Sequence, residues 1–125
     1  MKILRLTALF VMAFGMVVAG IVHFAAPRSY LRIVPEWLPY RIAIVYVSGM
    51  LELIAGIGLF LPAYRPEAAL LVLSLMAIFL PLHIWDCFRE HPALGSTAGA
   101  IVRLLLQFVL IAWAWWLLQT ESASD

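Results

Sequence analysis

Four long apolar runs divide this chain, and each is long enough to cross a lipid bilayer, which takes about 20 residues of α-helix. They cover about residues 3–26, 41–61, 67–88 and 97–119. The chain has 125 residues, is 66% hydrophobic and has a mean hydropathy of +1.04. A soluble fold of this size could not bury so much apolar surface. The sequence therefore predicts an all-α fold, with a single transmembrane domain over residues 1–125 that forms an up-down four-helix bundle.

A cleaved signal peptide is the alternative interpretation of the first run. Its apolar stretch from Leu6 to Val22 is longer than a usual signal-peptide core, and residues 24–26 place a phenylalanine where cleavage requires a small side chain. We therefore expect the run to be retained as a helix. Gly15 and Ala19 have the spacing of small residues that pack closely against a neighbouring helix.

The segment of residues 27–40 separates the first two runs and contains three prolines, which prevent a continuous helix. Tyr30 and Trp37 stand among basic residues, a mixture typical of the headgroup level of a bilayer. We predict an interfacial lid in which Tyr46 of the next helix takes part, and a plain surface loop is the alternative. At the other end of the chain, the polar tail from Glu121 is expected to be disordered.

One acid, Glu52, lies near the middle of a predicted span. A carboxylate at that depth costs about 2.5–3.5 kcal/mol, so it should face protein or a wet cavity and have a partner. Gly49 and Gly56 share its helix face and allow a close neighbour. Arg103 offers the strongest pairing, a bidentate guanidinium–carboxylate contact. The sequence therefore predicts direct contact between Glu52 and Arg103.

In an up-down bundle, helices alternate in direction, so depth follows from a rise of about 1.5 Å per residue. Every predicted helix then brings at least one polar residue to the same half of the membrane, and the opposite half has none of comparable kind. These residues are the candidate ligand or proton site: His23, Glu52, His83, Arg103 and Gln107. We expect a pocket that opens toward residues 27–40. An ion pair that only fixes the helix register is the alternative. No catalytic residue is assigned, and no metal site is predicted because the histidines lack ligand spacing.

An ordered set of motifs runs through most of the chain and resembles the DoxX-like membrane proteins. In sequence order, the motifs are Gly20-xx-His23-Phe24-xx-Pro27-xx-Tyr30, Val45-Tyr46-x-Ser48-Gly49-xx-Glu52, Gly56-x-Gly58-Leu59-xx-Pro62-xx-Arg65 and Arg103-Leu104-x-Leu106-Gln107. The resemblance implies a four-helix membrane bundle in the cytoplasmic membrane of a prokaryote and an association with membrane redox chemistry.

The function predicted from the residues and this resemblance is an accessory or quinone-interacting subunit of a membrane oxidoreductase system. Quinone is the implied cofactor, and the expected partners are the lipid bilayer, an oxidoreductase subunit and a second copy of the chain. With a net charge of +1, nucleic acid is not expected as a partner. The alternatives are a non-redox protein that binds or transports an apolar small molecule, and a structural membrane subunit.

Overall fold

Four helices long and apolar enough to span a membrane make up most of the computed structural model, which describes residues 1–123. The helices are α1 (Lys2–Ala25), the short α2 (Pro27–Leu31), α3 (Arg41–Phe60), α4 (Arg65–Cys87) and α5 (Thr97–Ser122). A single 3-10 turn, Pro62–Tyr64, joins α3 to α4. The predicted all-α, up-down four-helix membrane bundle is confirmed, and the chain is a multi-pass membrane protein.

The four long helices follow one another around the bundle in chain order. α1 packs on α3, α3 on α4 and α4 on α5. α1 and α5 make few contacts, and α3 and α5, which lie diagonally, make none within residues 1–123. Three sides of the bundle are therefore well packed, whereas the side between α1 and α5 is not.

Glycines allow α1 and α3 to approach closely. A methyl group on Gly49 would lie 2.5 Å from Cβ of His23, and one on Gly20 would lie 2.8 Å from the carbonyl oxygen of Gly49. A larger residue at either position would force the helices apart. The predicted role of Gly49 agrees with this geometry. The expectation that α1 packs closely on a neighbouring helix is confirmed at Gly20, but Gly15 takes no part, because a methyl group there would meet no atom within 4 Å.

Apolar side chains fill the half of the bundle in which α1 begins and α5 ends. Leu9, Leu59 and Leu117 are among them. At its edge, Arg5 forms an ion pair with the buried Glu121, with 3.4 Å between nitrogen and oxygen. Two expectations are corrected by this pair. This half, which lies opposite the candidate site, was expected to lack such polar residues, but it contains the buried Glu121. The chain from Glu121 also continues α5 to Ser122 instead of forming a disordered tail. The last two residues of that tail lie outside the described residues.

The segment between α1 and α3 folds over the other end of the bundle and is held there by α3. Arg41 Nη2 donates hydrogen bonds to the carbonyl oxygens of Leu31 at 2.7 Å and Val34 at 2.9 Å. Ile33 and Val34 are buried in a small apolar cluster with Val45. The segment is thus an anchored cap, with its apolar side chains directed inward.

Candidate functional site

A cavity of about 460 Å³ lies beneath this cap, between the four long helices. Its volume falls within the range of small-molecule sites, about 300–1,000 Å³. Most of the wall is apolar, with Met16, Phe79 and Leu110 as representatives. The structure brings to this cavity all five polar residues singled out from the sequence: His23, Glu52, His83, Arg103 and Gln107.

Glu52 is buried in the cavity wall, and its nearest charged or titratable neighbour is His23 of α1. Nδ1 of His23 lies 3.3 Å from Oε2 of Glu52 and 2.7 Å from the carbonyl oxygen of Ala19. A carbonyl oxygen can only accept a hydrogen bond, so Nδ1 carries a hydrogen and donates a hydrogen bond to the carbonyl oxygen of Ala19. Oε2 of Glu52 is left buried without a hydrogen-bond donor within residues 1–123. An unsatisfied carboxylate oxygen is costly in an apolar interior unless a ligand supplies the donor.

The predicted contact between Glu52 and Arg103 is wrong. Among the described residues, no ion pair joins them, although both side chains line the cavity. The physical reason is the order of the helices. α3 and α5 lie diagonally across the bundle, so the neighbour of Glu52 is α1, which carries His23. Arg103 lines the same cavity from α5.

His83 and Gln107 complete the polar side of the cavity from α4 and α5. Nε2 of Gln107 donates a hydrogen bond of 2.7 Å to the carbonyl oxygen of Met76, in the turn before Pro81. Pro81 removes the backbone donor that would bond the carbonyl of Ala77, and Gln107 supplies an additional donor to the adjacent carbonyl of Met76. His83 is buried, and its Nδ1 has no hydrogen-bond partner in the part of the chain that the structure describes.

Of the three residues predicted to form a lid, only Tyr30 lines the cavity. Its ring stacks on that of His23, with ring centroids 3.6 Å apart. Trp37 is 79% exposed, and Tyr46 stacks on Phe24, away from the cavity. Burial raises the pKa of Tyr30; the nearby negative charge of Glu52 raises it further, while Arg103 lowers it. The phenol is therefore held in its neutral form, as a hydrogen-bond donor.

Trp113 is a cavity residue that sequence reasoning missed. Its indole Nε1 is buried and has no hydrogen-bond partner within residues 1–123. A tryptophan near a helix end is typical of the membrane interface, so the local pattern did not indicate a site residue at this position. Its spacing from Leu106 and Leu110, at i, i+4 and i+7, places all three on one helix face and could have revealed it. Within residues 1–123, no group of three His, Cys, Asp or Glu side chains is placed to hold a metal ion.

Comparison with known families identifies a match over residues 12–118 to the family described as "Domain of unknown function (DUF8561)". The chain belongs to this family. The match begins in α1, runs through all four long helices and ends within α5, so it includes every polar residue of the cavity. No curated protein and no solved structure matches the chain.

Proposed function

We propose that this membrane protein binds a quinone-type molecule in the cavity beneath the cap, as an accessory subunit of a membrane oxidoreductase system. The observation that carries the proposal is Glu52, a buried acid that lines a ligand-sized cavity and has an oxygen with no hydrogen-bond donor among residues 1–123. Buried charges and unsatisfied polar atoms in a membrane protein mark functional sites by default. The resemblance of the sequence motifs to DoxX-like proteins, which are associated with membrane redox chemistry, supports the redox assignment.

The chemistry of the cavity suits a planar ring that carries carbonyl groups. Arg103 can only donate hydrogen bonds, and a quinone carbonyl can only accept them. The neutral phenol of Tyr30 is a second donor at the same end. The apolar remainder of the wall matches the rest of such a ligand. When the ring is reduced, its new hydroxyl groups become donors, and Oε2 of Glu52 is an acceptor that has no hydrogen bond from residues 1–123.

Reduction of a quinone to a quinol takes up two electrons and two protons. The electrons come from a partner oxidoreductase subunit, since the proposal gives this chain the role of binding the quinone. Glu52 and His23 lie beside each other in the cavity wall and are the groups that would pass protons to the ring oxygens.

The proposal is tested by purifying the protein with its native lipids and identifying the bound small molecules by mass spectrometry. We expect a quinone in the wild-type preparation, and binding of a quinone analogue on titration. Glu52→Gln should weaken the binding of the analogue at least tenfold. Glu67→Gln, the same chemical change at an exposed acid in the first turn of α4, is the matched control and should bind like the wild type.

Other outcomes of this experiment decide between the remaining functions. A bound apolar molecule that is not a quinone would overturn the redox assignment and favour a non-redox binding or transport protein. The binding function would be overturned if the purified protein held no small molecule and bound no quinone analogue, either by itself or together with its partner oxidoreductase subunit. That result would favour a structural membrane subunit.

A further inference from the structure

The cavity has one weakly closed side, and that side faces the bilayer. Its α1 wall runs from Val11 to His23 and its α5 wall from Arg103 to Trp113, yet these two helices make few contacts with each other. The Arg5–Glu121 ion pair joins them at the far end. Toward the cap, the cavity itself separates them.

The residues at the rim of this gap lie in the cavity wall and on the outer surface of the bundle at the same time. Val11 is 53% exposed and Leu106 is 54% exposed, and both line the cavity. Gly15 lies one turn from Val11, is also exposed, and has open space where a side chain would begin. A close-packed helix pair would fill such a position. We define Val11, Gly15 and Leu106 as the lateral gap.

The end of the cavity toward the water interface is closed by comparison. Ile33 and Val34 are buried over it, Tyr30 stacks on His23, and Arg41 anchors the backbone of the cap. Tyr30, Ile33 and Val34 line the cavity, so it extends to residues 27–40 as expected, and their side chains cover that end. A molecule from the aqueous phase would have to displace the cap, whereas a molecule dissolved in the bilayer meets the lateral gap directly.

We propose that the ligand of this cavity is a lipid-soluble molecule with an apolar tail, that it enters from the bilayer between α1 and α5, and that its tail remains in the lateral gap. This inference rests on the proposed function and adds the route and the tail. The polar head lies against Glu52, His23 and Arg103, and the tail leaves through a rim that is wholly apolar. A small water-soluble metabolite would gain nothing from such a rim.

Two rim variants and a matched control test the route in lipid nanodiscs. Gly15→Phe introduces a ring where no atom stands in the way, and Leu106→Trp enlarges the opposite rim. Leu105→Trp is the control, because Leu105 is 58% exposed but does not line the cavity. The probe is a benzoquinone that carries a decyl tail. We expect Gly15→Phe and Leu106→Trp to slow its association at least tenfold, with Leu105→Trp unchanged.

A second form of the probe, with a photoreactive diazirine at the end of the tail, locates the tail directly. We expect labelling of peptides that contain Val11, Gly15 or Leu106. Labelling of the cap at Tyr30–Val34, or equal association rates in all three variants, would overturn the lateral route. If the wild-type protein fails to bind the tailed quinone at all, the proposed function fails instead, so the two failures are distinguishable.

The remaining occupant of the gap would be a second copy of the chain. Gly15→Cys in a Cys87→Ser background tests this, because Cys87 is the single native cysteine. We expect no disulfide-linked dimer in nanodiscs. An intermolecular disulfide that forms at residue 15 while the tail probe leaves the gap unlabelled would assign the gap to a dimer interface and overturn the proposal.

Discussion

Asp86 and Glu52 are both buried acids on membrane-spanning helices, but their surroundings differ. Asp86, in the last turn of α4, accepts hydrogen bonds on Oδ1 from Arg89 Nη1 at 2.9 Å and from the backbone N–H of Ala93 at 3.0 Å. Arg89 also donates to the carbonyl of Arg32 in the cap. Glu52 has no hydrogen bond from any donor to Oε2 within residues 1–123, and it lines the cavity, which Asp86 does not.

The difference separates an acid that organises the fold from one that is available to a ligand. The partners of Asp86 are three and seven residues away in the chain, so its contacts close the turn between α4 and α5. Glu52 contacts His23 on another helix, and Nδ1 of that histidine already donates a hydrogen bond to the carbonyl oxygen of Ala19. Burial does not distinguish the two roles, and neither does an oxygen without a donor, because Oδ2 of Asp86 also has none within residues 1–123. The difference is that Asp86 accepts two hydrogen bonds on Oδ1 and lies outside the cavity, whereas Glu52 lines it.

The largest expected effect is on stability at the Asp86 corner. Asp86→Ala removes both hydrogen bonds and leaves the Arg89 guanidinium without its carboxylate, which should cost about 3 kcal/mol, near the lower end for a broken buried pair because Arg89 stays partly exposed. Thermal unfolding in a fixed detergent measures this loss. Glu67→Gln serves as the control. An unfolding midpoint equal to that of the control would show that Asp86 does not organise this corner.

Loss of the Tyr30 ring should have a smaller effect, at the cap of the cavity. Tyr30→Ala removes the stack on His23 and should cost about 1–2 kcal/mol, because aromatic pairs contribute about 0.5–1.5 kcal/mol beyond the area they bury. Tyr30→Phe retains the stack and is the matched control. Equal unfolding midpoints for the Ala and Phe variants would mean that the stack does not hold the cap.

Glu52→Gln should change stability by less than about 1 kcal/mol, in contrast to Asp86→Ala. A neutral amide removes a buried acid whose Oε2 has no hydrogen bond from residues 1–123, so little favourable interaction is lost. The same detergent assay checks this. A loss as large as that of Asp86→Ala would show that the Glu52–His23 contact fixes the helix register, and would favour the structural-subunit alternative.

The smallest expected effect is a shift in the pKa of Tyr30, which senses the charge of Glu52. Burial is the larger cause of its raised pKa, so Glu52→Gln should lower the pKa only part of the way toward its ordinary value of 10.0, and Glu67→Gln should leave it unchanged. Ultraviolet difference titration against Tyr30→Phe isolates this phenol. No difference between the two Glu variants would mean that the charge of Glu52 does not reach the cap.

The raised pKa also has a consequence for stability. The unfolded chain releases the Tyr30 proton near pH 10 and the folded chain releases it only at higher pH. The stabilising contribution of the neutral phenol is thus complete below about pH 10 and is lost as pH rises through the folded pKa. The alkaline loss of stability should therefore be shallower in Tyr30→Phe than in the wild type.

Much of the architecture could be predicted from the sequence. The apolar runs predicted the four spanning helices because in a bilayer every backbone polar group must be bonded within its own helix, so length and hydropathy are sufficient. The direction of each helix then placed the five polar residues in the same half of the bundle, where they line one cavity. The close approach of α1 at Gly49 could also be predicted, since a glycine on the same helix face as a mid-membrane acid indicates a close helix neighbour.

The tertiary structure decided which residues meet. Glu52 and Arg103 have suitable depth and charge for a pair, but depth does not specify the order of helices around a bundle, and their helices are diagonal. The same order leaves α1 and α5 with few contacts, which is the basis of the proposed lateral route. Local sequence patterns also could not show that Gly20 packs against α3 whereas Gly15 does not. Nor could they show that Tyr30 stacks on His23 whereas Trp37 is exposed. These distinctions depend on rotation and neighbours in three dimensions, whereas the existence of the helices depends only on the chain and the solvent around it.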